Sequence, residues 1–365
     1  MTDFSPLDNG ALDLPHLKRV SRIKHTILAK YFPKWALILG ARHSRLSYFD
    51  CFAGPGEYEF RGDRVPGSPV IAVKAGIEFL KSRAEQSLGM YLIDDDPAQV
   101  QLLERSLSAL QPYPKNLTVE VKWADSRSYI PELLENLRIA EPAFFLIDPY
   151  GHPLSVPVIN DVLRRNRTEA LINLMWFRIN MDLPNPNVQS RLNELFGDQA
   201  WRSQRFMEMH RAEREQSFVD YFTSRLSCKF VLRFRLRYDP EDVQSGNRTK
   251  YYLLHASNHV RAVLLMKEVM WPLGDEEGTF DYSGSEQGVL ISQTPSVEEL
   301  QNILQREFKG REVGFDELRE KTWKLPFIEK HYREAVRRLE GKSVKIKRIT
   351  SKKSGISGLD RIFFA

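Results

Sequence analysis

Two short stretches of this 365-residue chain hold residues whose types and spacing suit chemistry. In Tyr48-Phe-Asp-Cys-Phe-Ala-Gly-Pro-Gly56, an apolar run of strand length delivers Asp50 and then two glycines, Gly54 and Gly56, to a turn. In Phe144-Phe-Leu-Ile-Asp-Pro-Tyr-Gly151, a second such run delivers Asp148, Pro149 and Tyr150. Buried parallel strands read as continuous apolar runs, and open α/β sheets bind their ligands where such strands end. Glycine at that edge lets the backbone approach a ligand with no Cβ in the way. The expectation is a nucleotide-type cofactor beside Asp50, with Asp148 close to it.

Two further acids strengthen that expectation. Asp94 ends the second apolar run and suits a ribose diol, although it lies 38 residues beyond Gly56 where a compact dinucleotide fold has about 20. The excess is the loop Glu57 to Ser68. Asp125, in Trp123-Ala-Asp-Ser-Arg127, follows the third strand and is placed to accept from an adenine amino group. Each acid also suits a helix N-cap, but acids after all four strands, on one sheet edge, exceed what capping asks for. The loop lacks the lysine of a phosphate-cradling motif, which favours S-adenosylmethionine (SAM) over ATP and sets nucleotide hydrolysis aside.

Other chemistries find less support. Cys51 and Cys228 are far apart and have no metal-type spacing, so neither a disulfide framework nor an iron–sulfur cluster held by this chain alone is expected, and a radical enzyme needing three clustered cysteines is excluded. His255 and His259 are spaced like helical metal ligands, but Asn258 and the strand before it place them at a strand-to-helix junction with no third ligand; no metal site is assigned. His152, in the loop after Asp148, is a candidate proton acceptor, with polar loop surface as the alternative.

These residues need elements to hold them. Residues 16 to 39 have helical spacing with a kink expected at Pro33. Strands follow at Leu46 to Phe52, Met90 to Ile93, 117 to 123, 143 to 147 and 169 to 175. Helices from near Val70, at 97 to 110, 127 to 139 and 155 to 165, alternate with them, which implies a doubly wound α/β sheet. Residues 176 to 228 read as a helical insertion, 230 to 237 and 250 to 256 as late strands, and 271 to 295 as a linker. The expected division is an N-terminal helical segment at 1 to 45, a sheet domain at 46 to 270, the linker, and a basic C-terminal domain at 296 to 365.

With 42% apolar and 11% aromatic residues the chain can fill substantial cores. Its longest apolar runs fall far short of the ~20 residues of a membrane span, and acids near the N-terminus argue against a signal peptide, so a cytoplasmic location without membrane contact is expected. The net charge of +5 is unevenly spread: residues 311 to 365 carry 15 Lys/Arg against 8 Asp/Glu. There, helices at 296 to 308, 315 to 323 and 327 to 340 precede strands Val344 to Ile349 and Leu359 to Phe364, the order of a winged helix. Lys330, Arg333 and Arg337 on the third helix, with Lys345, Lys347, Arg348, Lys352 and Lys353 on the hairpin, form a candidate nucleic-acid interface. A solvated charged face is the alternative.

Lys24-His-Thr-Ile-Leu28, Tyr48-Phe-Asp-x-x-Ala-Gly-x-Gly-x-Tyr58, Pro66-Gly-Ser-Pro69 and Leu146-Ile-Asp-Pro149 resemble, in order, motifs of adenine-N6 methyltransferases of large-subunit ribosomal RNA. The whole chain more closely resembles the three-Cys-motif partner (TcmP) family, named for proteins encoded beside a radical-SAM protein. That resemblance extends through Leu171-Ile-Asn-Leu-Met175, Leu195-Phe-Gly197, Tyr251-Tyr-Leu-Leu-His-Ala-Ser-Asn-His259 and Met266 to Trp271, and covers roughly residues 20 to 345.

The resemblance implies a SAM-methyltransferase-like fold, with SAM held by Asp50, Gly54, Gly56, Asp94 and Asp125 and with Lys24 on its methionine carboxylate; a solvated helix face is the alternative for Lys24. Amino-group methyltransferases of this kind use an Asp-Pro-Pro-aromatic turn to accept from the amine and stack the extruded base. Here Asp148-Pro149-Tyr150-Gly151 lacks the second proline. Two readings follow: an enzyme methylating a base, or a partner protein that has kept the fold without the chemistry and works with a radical-SAM protein.

Overall fold

The computed structural model describes residues 14–136, 141–151, 153–165, 167–238, 248–274, 281–282, 296–349 and 355–365. The strands, in chain order, are β1 (Arg45–Asp50), β2 (Glu57–Phe60), β3 (Asp63–Pro66), β4 (Ser87–Asp94), β5 (Leu117–Trp123), β6 (Ala143–Ile147), β7 (Thr168–Leu174), β8 (Phe230–Arg237), β9 (Thr249–Ser257), β10 (Asp281–Tyr282), β11 (Glu312–Gly314), β12 (Val344–Lys347) and β13 (Arg361–Phe364). The α-helices are α1 (Arg19–Gly40), α2 (Ser68–Ser82), α3 (Pro97–Ser108), α4 (Ser126–Asn136), α5 (Val156–Leu163), α6 (Trp176–Asp182), α7 (Gln189–Phe196), α8 (Arg211–Ser224), α9 (Val260–Met270), α10 (Val297–Phe308), α11 (Phe315–Lys321) and α12 (Glu329–Leu339).

The main sheet has the order β10-β8-β9-β7-β6-β1-β4-β5. From β7 through β6, β1 and β4 to β5 every neighbour is parallel, while β9 runs antiparallel between β7 and β8. A doubly wound sheet with this reversed strand is the class I methyltransferase-like fold. The alternation of strands and helices anticipated the parallel part. It did not show that β9 inserts between β7 and β8, because period-2 patterning fixes which face a residue takes and says nothing about its neighbour strand.

The chain winds outward from β1 through β4 and β5, then returns to start again at β6. The switch point therefore lies between β1 and β6, and a crevice forms beyond their carboxyl ends. β6 and β7 are buried along their whole length, as continuous apolar runs require. Phe49 and Phe145 stack 4.2 Å apart on one face of the sheet, and Tyr48 and Phe144 stack on the other. Their two faces feed two cores: Tyr31, Phe32, Trp35, Val73 and Met266 pack on the Tyr48 side, and Ile130, Ile159, Phe196, Trp201 and Phe218 on the Phe49 side. Helix α1 is thus part of the sheet domain's own core. Burial at about 25 cal/mol per Å² makes these two layers the main stabilising force.

The Gly/Pro-rich loop after β1 contains a hairpin the sequence reading passed over. β2 and β3 pair antiparallel through Arg61-Gly62, both with positive φ. The signal was there in the alternation Glu57-Tyr-Glu-Phe60 followed by a turn glycine.

The C-terminal unit has its own core of Leu300, Leu304, Phe315, Tyr332, Val336 and Ile362. Its strands form a three-stranded antiparallel sheet, β11-β13-β12. It docks on α9, whose Lys267 ammonium donates to the carbonyls of Trp323 (3.0 Å) and Leu325 (2.5 Å). Burial pulls the Lys267 pKa down to about 8. Arg319 bridges Glu329 at 2.7 Å and Glu268 at 3.6 Å across the same seam. Among the described residues no helix is long and apolar enough to cross a membrane.

Candidate active site

Asp50 is the last residue of β1 and is fully buried. Tyr48 donates its hydroxyl to Asp50 Oδ2 at 3.2 Å, whereas Oδ1 has no hydrogen-bond partner. Burial pushes the Asp50 carboxyl up to about 7, with Ser68, Tyr48 and the Phe52 amide pulling it down and the Asp148 charge adding to the rise. A buried carboxylate oxygen with no donor costs about 1–3 kcal/mol, which a ligand's N–H would relieve.

The turn that follows is built around Asp94, at the end of β4. Its Oδ2 accepts from the Gly54 amide at 2.8 Å and its Oδ1 from the Asp96 amide at 3.0 Å. Gly54 has φ +64°, and a β-carbon there would lie 2.7 Å from the Tyr58 hydroxyl; Gly56 has φ +82°. Only glycine takes this path without strain. Asp125 is exposed and accepts from the Arg127 amide at 2.9 Å at the start of α4, so capping accounts for one of its oxygens.

Across the switch point, Asp148 follows β6. Lys24 Nζ, from α1, donates to both its oxygens at 2.6 and 2.5 Å, and Asn173 Nδ2, from β7, donates to Oδ1 at 2.6 Å. Lys24 and Asp148 are only 11% and 14% exposed. Lys24 therefore pairs with the Asp148 turn in this structure, a partner beyond the two expected from sequence, a cofactor carboxylate or solvent. Its ammonium also lies 5.1 Å from the Tyr251 ring centroid. His25, next along α1, is half-buried with its Nδ1 shielded from solvent and without a hydrogen-bond partner among the described residues, and desolvation together with the Lys24 charge lowers its pKa to about 4 against the opposing effect of Asp148. It is a neutral imidazole at pH 7.

Tyr58 shows how closely the acids converge. Burial raises its hydroxyl pKa first, followed by the charges of Asp148, Asp50 and Asp94 together. Pro149 is buried beneath the turn and Tyr150 is 99% exposed, free of protein contact on its ring. His152 lies outside the described residues.

The sequence reading missed roles for Asn173, Tyr58, Ser68 and His25. All four sit inside the motifs quoted above, yet nothing in their spacing says that β7, the hairpin, α2 and α1 meet over the β1/β6 edge. His255 is buried in β9 with Nε2 3.0 Å from Glu169 Oε2, which also accepts from Tyr31 at 2.5 Å. Among the described residues no group of three metal-type ligands occurs.

The basic domain departs from expectation. Arg333 pairs with Glu329, and Arg348 pairs in bidentate fashion with Glu340 at 2.7 and 2.9 Å. Arg338 pairs with Glu334. The acids four residues before Arg333 and Arg338 form helical i,i+4 pairs that a count of cations overlooks. Lys330, Lys345 and Lys347 are exposed and carry no ion pair among the described residues, Arg337 is exposed, and Lys352 and Lys353 lie outside the described residues.

No protein-family model and no curated protein matches the chain. Among solved structures it is similar to a Legionella pneumophila protein of the DUF519 family, at 15% identity, covering 66% of this chain and 85% of that one with a TM-score of 0.40. A SAM-dependent methyltransferase from Agrobacterium tumefaciens gives 9% identity, 62% and 61% coverage and a TM-score of 0.32. MNMC2 from Aquifex aeolicus gives 13%, 67% and 63%, and 0.29. Overlaps this small carry no argument about activity, and the fold class rests on the strand order.

Proposed function

We propose that this chain is a SAM-dependent methyltransferase acting on an amino group of a nucleic-acid base. One observation carries the reading: a fully buried Asp50 with an unpartnered oxygen faces a positioned Asp148 across the switch point of a methyltransferase-type sheet. The residues suit the cofactor. Asp50 Oδ1 is an acceptor for an ammonium group, and Asp94 with Gly54 shapes a turn at the position where a ribose binds in doubly wound folds. SAM held there supplies a methyl group on a cationic sulfur. Asp148 accepts a hydrogen bond from the target amine, and the exposed Tyr150 ring stacks on the extruded base. The C-terminal unit, a helix–strand–helix–helix–strand–strand arrangement, serves as a winged helix whose Lys330, Lys345 and Lys347 meet phosphates.

The upward shift at Asp50 makes this testable by pH. A cationic ligand binds the ionised carboxylate, so affinity for SAM should rise from pH 5.5 to about 7 and level off above it. In the free protein the raised pKa acts the other way: the folded state gains most below pH ~4 and loses that gain as pH rises through about 7. Calorimetric titration with SAM and S-adenosylhomocysteine across this pH range, on the native chain and on Asp50→Asn, reads the first effect, and urea unfolding of the free protein across pH 4 to 8 reads the second. Affinity that is flat with pH, or unchanged in Asp50→Asn, removes Asp50 from the cofactor site.

A second reading, a partner protein without turnover, draws on the occupied state of Asp148, both of whose oxygens already hold donors, and on the missing second proline. Transfer of a labelled methyl group from SAM to cellular RNA or DNA by the purified chain excludes it. SAM binding without transfer, together with co-purification of a radical-SAM protein, supports it.

A further inference from the structure

A pocket of about 210 Å³ lies between α1 and the β2–β3 hairpin, lined by Arg19, Arg22, Ile23, Thr26, Phe60 and Arg61. The Arg22 guanidinium sits 4.7 Å from the Phe60 ring centroid and that of Arg61 sits 5.5 Å from it. Two cations are thus held by one buried ring, and neither carries an ion pair among the described residues. Two of the hairpin's three acids are used elsewhere, Glu57 pairing with Arg64 and Glu59 with His16; the third, Asp63, is exposed and forms no ion pair with either arginine among the described residues. Aromatic contact pre-orients a guanidinium at little entropic cost, and paired arginines present forked donors that match the oxygens of a phosphate.

Both elements that form this pocket also build the active site. Lys24, two residues after Arg22 on α1, holds Asp148; Tyr58, two residues before Phe60 on β2, lies among Asp50, Asp94 and Asp148. We infer that Arg22 and Arg61, held on Phe60, form a phosphodiester-binding site that anchors the backbone of a nucleic-acid substrate beside the reactive turn. This rests on the nucleic-acid reading above and adds to it the place where the strand is gripped, on the sheet domain itself and apart from the basic C-terminal unit. A single phosphate shared by the two arginines is the ligand.

The test is fluorescence anisotropy with labelled 20-nucleotide single-stranded RNA and DNA of one sequence, from 50 to 300 mM salt. The native chain is compared with Arg22→Gln/Arg61→Gln and with Arg42→Gln/Arg83→Gln, which removes the same charge from exposed arginines beside the opposite ends of β1 and β4. The pocket variant should bind roughly tenfold more weakly or worse, with a salt slope smaller by about 0.7, one phosphate's share for a single strand. Its SAM affinity and melting temperature should be unchanged. The control variant should bind as the native chain does. A difference between RNA and DNA in the size of this loss identifies which polymer the site takes. Equal losses in the two variants, or no loss in the pocket variant, overturn the site while leaving the nucleic-acid reading intact. Failure of the native chain to bind either polymer overturns that reading, and the site with it.

Discussion

Asp148→Asn should lower methyl transfer to nucleic acid about a thousandfold, within the range expected for loss of a positioned acid–base or hydrogen-bonding group, while SAM affinity stays within a few fold. The reason lies in the donors that surround the side chain. Lys24 Nζ reaches both carboxylate oxygens and Asn173 Nδ2 reaches Oδ1. A carboxylate can face these donors and still accept from a substrate amine, because each oxygen has two lone pairs. An asparagine offers one oxygen, which Lys24 and Asn173 already claim, and turns an N–H toward the remaining donors. The measurement is single-turnover methyl transfer alongside calorimetric SAM binding. Turnover equal to the native rate takes Asp148 out of the mechanism; loss of SAM binding together with turnover assigns it to the cofactor site.

The second large effect is on stability. Lys24→Met should destabilise the fold by about 3 kcal/mol or more, because it leaves the Asp148 carboxylate nearly buried without its counter-charge. Asn173 still donates to Oδ1, which keeps the cost toward the lower end of that range. The double variant Lys24→Met/Asp148→Leu should recover most of the loss, since removing both charges also removes their desolvation cost. Urea unfolding monitored by circular dichroism reads all three differences. Lys24→Met as stable as the native chain would mean that the pair contributes nothing to the fold. Equal loss in the single and double variants would assign the effect to packing of α1.

The same pair explains part of what the sequence reading missed. Lys24 lies 124 residues from Asp148 along the chain, on a helix that reads as an amphipathic surface element. Its two natural readings were a ligand contact and a solvated face. Burial of α1 against β1, α2 and α9 placed it on a third course, as partner to the reactive acid. Asn173 escaped notice for a related reason. An asparagine within a buried apolar strand signals a polar requirement, but the strand that supplies its partner is identified only by the pairing of β6 with β7.

The basic C-terminal domain shows the converse. Charge counting located it, and the helix order was right, with a third strand, β11, added by the structure. Which cations are free was not legible from the count. It depended on the acids at i−4 along α12 and on Glu340, which folds back to Arg348.

The sequence by itself determined the alternation of strands and helices, the acids and glycines at the strand ends, and the break in composition before the basic domain. These are local properties: apolar run length, turn residues and charge each act over a few positions. Tertiary structure alone decided that β9 runs backwards between β7 and β8, that the Gly54 to Pro69 loop holds a hairpin, and that Lys24, Asn173 and Asp148 meet. Those outcomes depend on which surfaces find each other during packing, a choice made by contacts between residues distant in sequence. Local patterning leaves it open.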